Sequence, residues 1–210
     1  MCRGLFLDLD GTVADSLGVL RQTYQEFLTR HLRQGSAAEF ARLNGPTLPE
    51  IVLYLKEAHH LPGGQEALLL EYRNLISDRH QEAPPAAGAA ALMSRAKEHG
   101  YVVCIVTSAS TDLLDAWLSR HGLEASVDVK VTGDDIGAAK PAPDPYLRAL
   151  KLTGCAAQDS LAIEDSLNGV LAATRAGLPT WRLCSSGPLE AGPETGKLAT
   201  LVEAEALLRR

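Results

Sequence analysis

Aromatic residues are scarce in this sequence: Phe, Trp and Tyr make up 5% of its 210 residues. The core must therefore come from the aliphatics and alanines that bring the apolar share to 46%. Abundant alanine and leucine favour helices. There is no basic block, and the net charge is −6. Nothing here invites a nucleic-acid backbone or an anionic membrane. Cysteines number four, at Cys2, Cys104, Cys155 and Cys184, with no CxxC pair. That argues against a zinc site, gives no reason to expect a disulfide framework, and leaves all four as buried or incidental thiols. No apolar run approaches a membrane span. The first apolar stretch, Leu5 to Leu9, is interrupted by Asp8, so no signal peptide and a cytoplasmic location are expected. No internal repeat or low-complexity segment is present. The length suits one core domain with room for an inserted module.

The chain reads in three stretches. Leu5-Phe6-Leu7 is a buried strand running into a glycine turn, Asp8-Leu9-Asp10-Gly11-Thr12. The second stretch, about Asp15 to Glu82, is helical. Leu17, Leu20, Tyr24, Phe27 and Leu28 have helical spacing. Ser36 to Glu39 and Thr47 to Glu50 fit capping boxes that start two further helices. Ile51, Leu55 and Ala58 are expected on one face of the second. Gln65 to Ile76 is another helical run after a Pro62-Gly63-Gly64 break. The third stretch begins at a hinge, Ala83-Pro84-Pro85, and alternates. Helices are expected at Ala89 to His99, around Leu113 to Leu118, at Pro145 to Leu152 and at Leu167 to Ala176. Strands are expected at Tyr101 to Val106, Val127 to Val131, Ser160 to Ile163, Thr180 to Leu183 and near Leu198 to Leu201. The segment Ser185 to Gly196 reads as loop. Such alternation predicts an α/β fold, a parallel sheet with helices on both faces. Sheets of that kind bind ligands beyond the carboxyl ends of their strands.

The polar residues at those ends form a set. The first strand ends in Asp8 and Asp10, whose side chains project to one side if the chain stays extended. The second ends in Thr107 and Ser108. Lys140 lies in the loop after the third, and the fourth ends in Glu164 and Asp165. Each feature alone has an ordinary explanation: a turn, a helix cap, a surface lysine, a capping pair. All four falling in order at successive strand ends is a different matter. Carboxylates alone make a poor phosphate site, since two unit charges about 4 Å apart repel by roughly 4 kcal/mol at an effective dielectric near 20. Mg²⁺ reverses that sign; it takes oxygen ligands and needs only a few carboxylates plus a substrate phosphate. Lys140 and the hydroxyls can hold the other phosphate oxygens.

Asp8-Leu-Asp10-Gly-Thr-Val-Ala-Asp15-Ser16, Val106-Thr-Ser-Ala-Ser110, Lys140-Pro-Ala-Pro-Asp-Pro-Tyr146 and Ile163-Glu-Asp-Ser-Leu-Asn-Gly169 resemble the four motifs of the haloacid dehalogenase-like hydrolases. The likeness covers the whole chain. It implies a Rossmann-like core, residues 1–14 and 84–210, and an inserted all-helical cap, residues 15–83, of the type shared by phosphoglycolate phosphatase and β-phosphoglucomutase. Asp8 then resembles the nucleophile and a magnesium ligand. Asp10 resembles the general acid/base and offers its backbone carbonyl to the metal. Thr107 or Ser108 binds the phosphoryl group, with Thr107 at the motif's hydroxyl position. Lys140 neutralises nucleophile and phosphate. Asp165 holds the metal, with Glu164 a second ligand or its supporting partner.

The resemblance implies a Mg²⁺-dependent phosphatase acting on a small phosphorylated metabolite. Two alternatives stand beside it. A β-phosphoglucomutase-like mutase carries a valine where this chain has Thr12 and a histidine where it has Leu20. It also has a cap-loop arginine where this chain reads Asn44-Gly45-Pro46-Thr47-Leu48. A receiver-type phosphoacceptor lacks the helical insert. The physiological ester and a monomeric or dimeric state are not readable.

Overall fold

The first apolar run forms β1 (Arg3–Leu7) in the computed structural model, which describes residues 2–184 and 191–208. Four helices follow: α1 (Leu17–Arg30), α2 (Ala37–Arg42), α3 (Leu48–His59) and α4 (Gln65–His80). The chain then alternates through α5 (Ala89–Glu98), β2 (Tyr101–Val106), α6 (Thr111–His121), β3 (Val129–Val131), α7 (Asp144–Thr153) and β4 (Leu161–Glu164). It ends through α8 (Leu167–Arg175), β5 (Thr180–Leu183), β6 (Gly196–Leu198) and α9 (Leu201–Ala204). The six strands form one parallel sheet in the order β3-β2-β1-β4-β5-β6.

Successive strand residues face opposite sides, and both sides are apolar. Leu5, Leu7, Val103, Ile105, Leu161 and Ile163 pack with Leu92 and Met93 of α5, Leu114 and Trp117 of α6 and Leu201 of α9. Phe6, Cys104, Val106 and Ala162 pack with Tyr146 and Ala149 of α7 and Ala172 and Ala173 of α8. Helices thus cover both faces, as parallel sheets require. The helices α1 to α4 have an apolar cluster of their own, built on Tyr24, Phe27, Leu28, Val52, Leu55, Leu68 and Tyr72. Two short segments join them to the sheet. These lie side by side, with Asp15 N–H donating to Pro84 O (2.9 Å) and Ala86 N–H to Val13 O (2.8 Å). The Trp117 indole donates to Ala83 O at 2.8 Å and ties one segment to α6.

Several expectations need correction. Cys2 and Cys155 are joined in a disulfide with Cα atoms 4.7 Å apart. Folding brings the start of β1 beside the turn after α7, a proximity invisible at a separation of 153 residues. Cys104 and Cys184 are free. On α3 the buried residues are Val52 and Leu55, while Ala58 is exposed and Ile51 half-buried. Ile51 turns instead towards a cavity described below. Ser36 caps α2 by accepting from Glu39 N–H, but the box is not reciprocal. The Glu39 carboxylate accepts instead from the Tyr24 hydroxyl and pairs with His59. At Thr47 the carboxylate of Glu50 does reach back to the backbone N–H, at 2.7 Å. The strand expected from Val127 begins at Val129, because a 3₁₀ turn (Glu124–Ser126) precedes it. The last strand lies at Gly196–Leu198, earlier than expected, and Leu201 already belongs to α9. Of the expected loop from Ser185 to Gly196, residues 185–190 lie outside the described residues.

Candidate active site

The strand order reverses direction at β1, which lies between β2 and β4. A crevice opens at such a point beyond the carboxyl ends. Asp8 is the first residue past β1, and its N–H donates to Ile163 O of β4 at 3.1 Å. The chain does not stay extended beyond it. Leu9 O accepts from the N–H groups of Thr12, Val13 and Ala14, folding residues 9–14 into a tight turn. Asp10 therefore reaches the site through a turn rather than by strand alternation, and both carboxylates line one cavity. Gly11 sits in that turn at φ +83°, and a Cβ there would lie 2.4 Å from Asp165 Oδ2. Only glycine fits both demands.

Lys140 is buried and lies at the centre. Its ammonium donates to Asp8 Oδ1 (2.6 Å), Glu164 Oε1 (2.5 Å) and Val106 O (2.9 Å). All three ammonium protons are thereby used. Burial disfavours its charge, but Asp8 and Glu164 outweigh that and raise its pKa. Tyr146 of α7 donates to the same Glu164 oxygen at 2.5 Å. Asp8 is pushed up by burial, a shift that Lys140 only partly offsets.

Asp10 is held differently. Oδ1 accepts from the Ser16 hydroxyl at 2.6 Å and faces His80 Nε2 at 2.6 Å. Burial raises its pKa, but the His80 charge and the two hydrogen bonds win, and the net shift is downward. His80 is lowered by burial and raised more by Asp10, so its pKa ends above the usual value. It is the last residue of α4 and is 1% exposed. A side chain at the end of α4 thus grips a carboxylate in the turn after β1.

The acidic corner is completed by β4. Asp8, Glu164 and Asp165 each place a carboxylate oxygen within 4.8 Å of the others. Asp165 Oδ1 and Glu164 Oε2 are buried without a hydrogen-bond partner. Burial first, then the Asp8 charge, pushes Asp165 up to about 7 and Glu164 up to about 8. Two orphaned acceptors and carboxylates driven towards protonation describe a corner short of positive charge. An all-oxygen donor set fits a hard divalent cation such as Mg²⁺. Glu164 Oε2 is also shielded by Gly169, where a Cβ would lie 2.0 Å from it.

Thr107 is buried just past β2, and its hydroxyl oxygen accepts from Ala109 N–H at 3.0 Å. Ser108 Oγ donates to Gly45 O at 2.5 Å. The same loop, between α2 and α3, sends Asn44 Nδ2 to Asp165 Oδ2 (2.9 Å), and Asn44 O accepts from Asn168 Nδ2 (3.1 Å). Asp8, Asp10, Thr107, Ser108 and Lys140 all line a cavity of about 90 Å³ between the helices and the sheet.

The family model for haloacid dehalogenase-like hydrolases matches residues 5–182. The chain belongs to that family. Named phosphatases are among its relatives there. Hexitol phosphatase A of Escherichia coli is 34% identical over 185 residues, 84% of this chain and 80% of that protein. The bifunctional riboflavin kinase/FMN phosphatase of Arabidopsis thaliana is 29% identical over 174 residues. There the match takes 82% of this chain but spans only 46% of the plant protein. In fold, CbbY from Rhodobacter sphaeroides, solved with phosphate, superposes at a TM-score of 0.83 with 22% identity. That match covers 97% of this chain and 96% of the other.

Every residue singled out in the sequence sits at this one crevice: Asp8, Asp10, Thr107, Ser108, Lys140, Glu164 and Asp165. Ser16 and Tyr146 belong to the quoted motifs, but their hydrogen bonds were not foreseen. His80 was missed altogether. The one signal for it was a histidine immediately before the hinge, too slight to weigh alone.

Proposed function

We propose that the protein is a magnesium-dependent phosphatase that hydrolyses small phosphate monoesters through a phosphorylated Asp8, with residues 15–83 acting as its cap. The observation that carries this reading is a pair of carboxylates on one cavity with different partners. Asp8 Oδ1 is paired with the Lys140 ammonium, which favours the carboxylate a nucleophile must be, whereas Asp10 lies between the Ser16 hydroxyl and His80, a neighbour that can carry a proton. Two titratable groups with diverging environments mark divided roles.

Asp8, Asp165 and Glu164 would hold the magnesium ion, and the Asp10 carboxylate is turned away towards Ser16 and His80, leaving its backbone carbonyl for that purpose. The ion would supply positive charge that offsets the repulsion between Asp8 and a substrate phosphate. Lys140 neutralises Asp8 from the other side and orients it. The Thr107 hydroxyl, whose oxygen accepts from Ala109 N–H, has its proton for a phosphoryl oxygen, and Ser108 would offer its own on releasing Gly45 O. Asp8 attacks phosphorus in line, the bond from phosphorus to the ester oxygen breaks, and Asp10 gives that oxygen a proton. An incoming anion beside Asp10 raises its proton affinity, and His80 is an adjacent proton source. After the alcohol leaves, Asp10 takes a proton from water, which attacks phosphorus. The bond to Asp8 breaks, inorganic phosphate departs, Asp10 returns the proton to His80, and the net reaction is ester plus water to alcohol plus phosphate.

Turnover of p-nitrophenyl phosphate tests the reading. It should require added Mg²⁺, vanish in excess chelator, and be absent in Asp8→Asn. Full activity after rigorous metal removal, or in Asp8→Asn, rules the reading out.

A further inference from the structure

Beyond the phosphoryl end the cavity changes character. Its far wall is Leu20, Leu43, Leu48, Ile51, Ile76 and Leu113. Leu43 and Ile76 are buried in the cap's own cluster, and the other four pack against it while keeping part of their surface open. The cations on the cavity lining are His80 and Lys140, and both are committed to carboxylates. The lining hydroxyls of Thr107, Ser108, Ser110 and Ser166 come from the strand ends and helix caps of the sheet domain, not from the cap. Asn44 is engaged by Asp165. A second cavity, about 380 Å³, shares Leu43, Pro46, Ile51 and Lys140 with the first and brings Arg42 to its lining, but Glu50 is there to offset that charge.

Resting on the phosphatase reading above, we infer that the site selects phosphate monoesters of compact, uncharged, mainly aliphatic alcohols. It discriminates against esters whose leaving group carries a second phosphate, a carboxylate or a polyol chain. The argument is one of unmatched polarity. A second anion carried into this cavity loses water and meets no free cation. Polyol hydroxyls lose water and meet methyl groups. Added methylenes on the alcohol, by contrast, leave water for an aliphatic wall, worth about fourfold in affinity each when fully buried. A cavity of about 90 Å³ sets an early limit, well under the roughly 300–1,000 Å³ of sites for larger ligands.

The test is a comparison of kcat/KM, with Mg²⁺ present, for ethyl, propyl and butyl phosphate, glycerol 3-phosphate and phosphoglycolate. The expected result is a rise of about two- to fourfold per methylene, with butyl phosphate at least tenfold above both polar esters. Ile51→Arg should lower butyl phosphate turnover and raise that of phosphoglycolate, whereas Arg42→Ala should leave the ratio unchanged. A flat alkyl series, a preference for phosphoglycolate or glycerol phosphate, or a loss of phosphoglycolate turnover in Arg42→Ala overturns the inference. If p-nitrophenyl phosphate is hydrolysed while that preference is reversed, only the substrate class is wrong. If no ester is turned over, p-nitrophenyl phosphate included, the phosphatase reading fails and takes this inference with it.

Discussion

His80 carries the least foreseeable burden at the residue scale. It reaches from the end of α4 to Asp10 Oδ1 and, with Ser16, fixes the direction of the other Asp10 oxygen. Removing that contact should impair both proton transfers without touching Asp8. We expect His80→Ala to lower kcat by about 10–10² with KM little changed, and His80→Gln, which keeps an N–H donor but cannot release a proton, to recover only the part of the loss that comes from orienting Asp10. Steady-state kinetics of the three proteins checks this. An equal loss in both variants would assign His80 to proton supply rather than to orienting Asp10. Asp8 and Thr107 were legible because each follows its strand directly, whereas Asp10 comes in through a turn and Lys140 through a loop, and both were placed by the motifs they belong to. His80 was not, because its contact spans 70 residues and depends on how a whole helix leans. The Cys2–Cys155 pairing was hidden for the same reason.

The junction of β4 and α8 brings the tightest packing to the site at the element scale. Glu164 ends the strand, Ser166 caps the helix by accepting from Gly169 N–H at 3.0 Å, and Gly169 makes room for the Glu164 carboxylate. A methyl group there cannot be accommodated by a flexible neighbour, since Glu164 is itself pinned by Lys140 and Tyr146. Gly169→Ala should destabilise the protein by about 1–3 kcal/mol despite the better helix propensity of alanine. Denaturant unfolding reads this out, and a stabilised variant would contradict the packing. The alternation of apolar and breaker residues placed these elements correctly. It failed at β3 and β6, three-residue strands whose sequences carry too little periodicity to mark their ends. On α3, Ile51 serves both the cluster it packs against and the cavity it lines.

Charge balance is the issue at the scale of the whole molecule. The fold gathers Asp8, Glu164 and Asp165 around one lysine. Without a cation the folded state holds Asp165 and Glu164 at raised pKa values, about 7 and about 8. It therefore binds more protons than the unfolded chain between the unfolded carboxylate pKa values near 4 and those raised values. Stability of the metal-free protein should fall as pH rises through that window. The raised His80 adds a loss of the same sign near neutrality. Added Mg²⁺ should raise Tm more at pH 8 than at pH 5, because it binds the ionised corner. Thermal unfolding with chelator and with Mg²⁺ at both pH values gives the comparison. An equal Mg²⁺ effect at both would place the ion elsewhere.

A covalent phosphoryl group on Asp8 is the central claim, and one measurement addresses it directly. Asp10→Asn, mixed with an activated phosphate ester that needs no proton on its leaving group, should be phosphorylated and then stall, with overall turnover reduced by about 10²–10⁴. Rapid acid quench, intact mass spectrometry and peptide mapping should find one added phosphoryl group on the peptide containing Asp8. Its absence in both wild type and Asp10→Asn, while the ester is still hydrolysed, would contradict the account and point to direct attack by water.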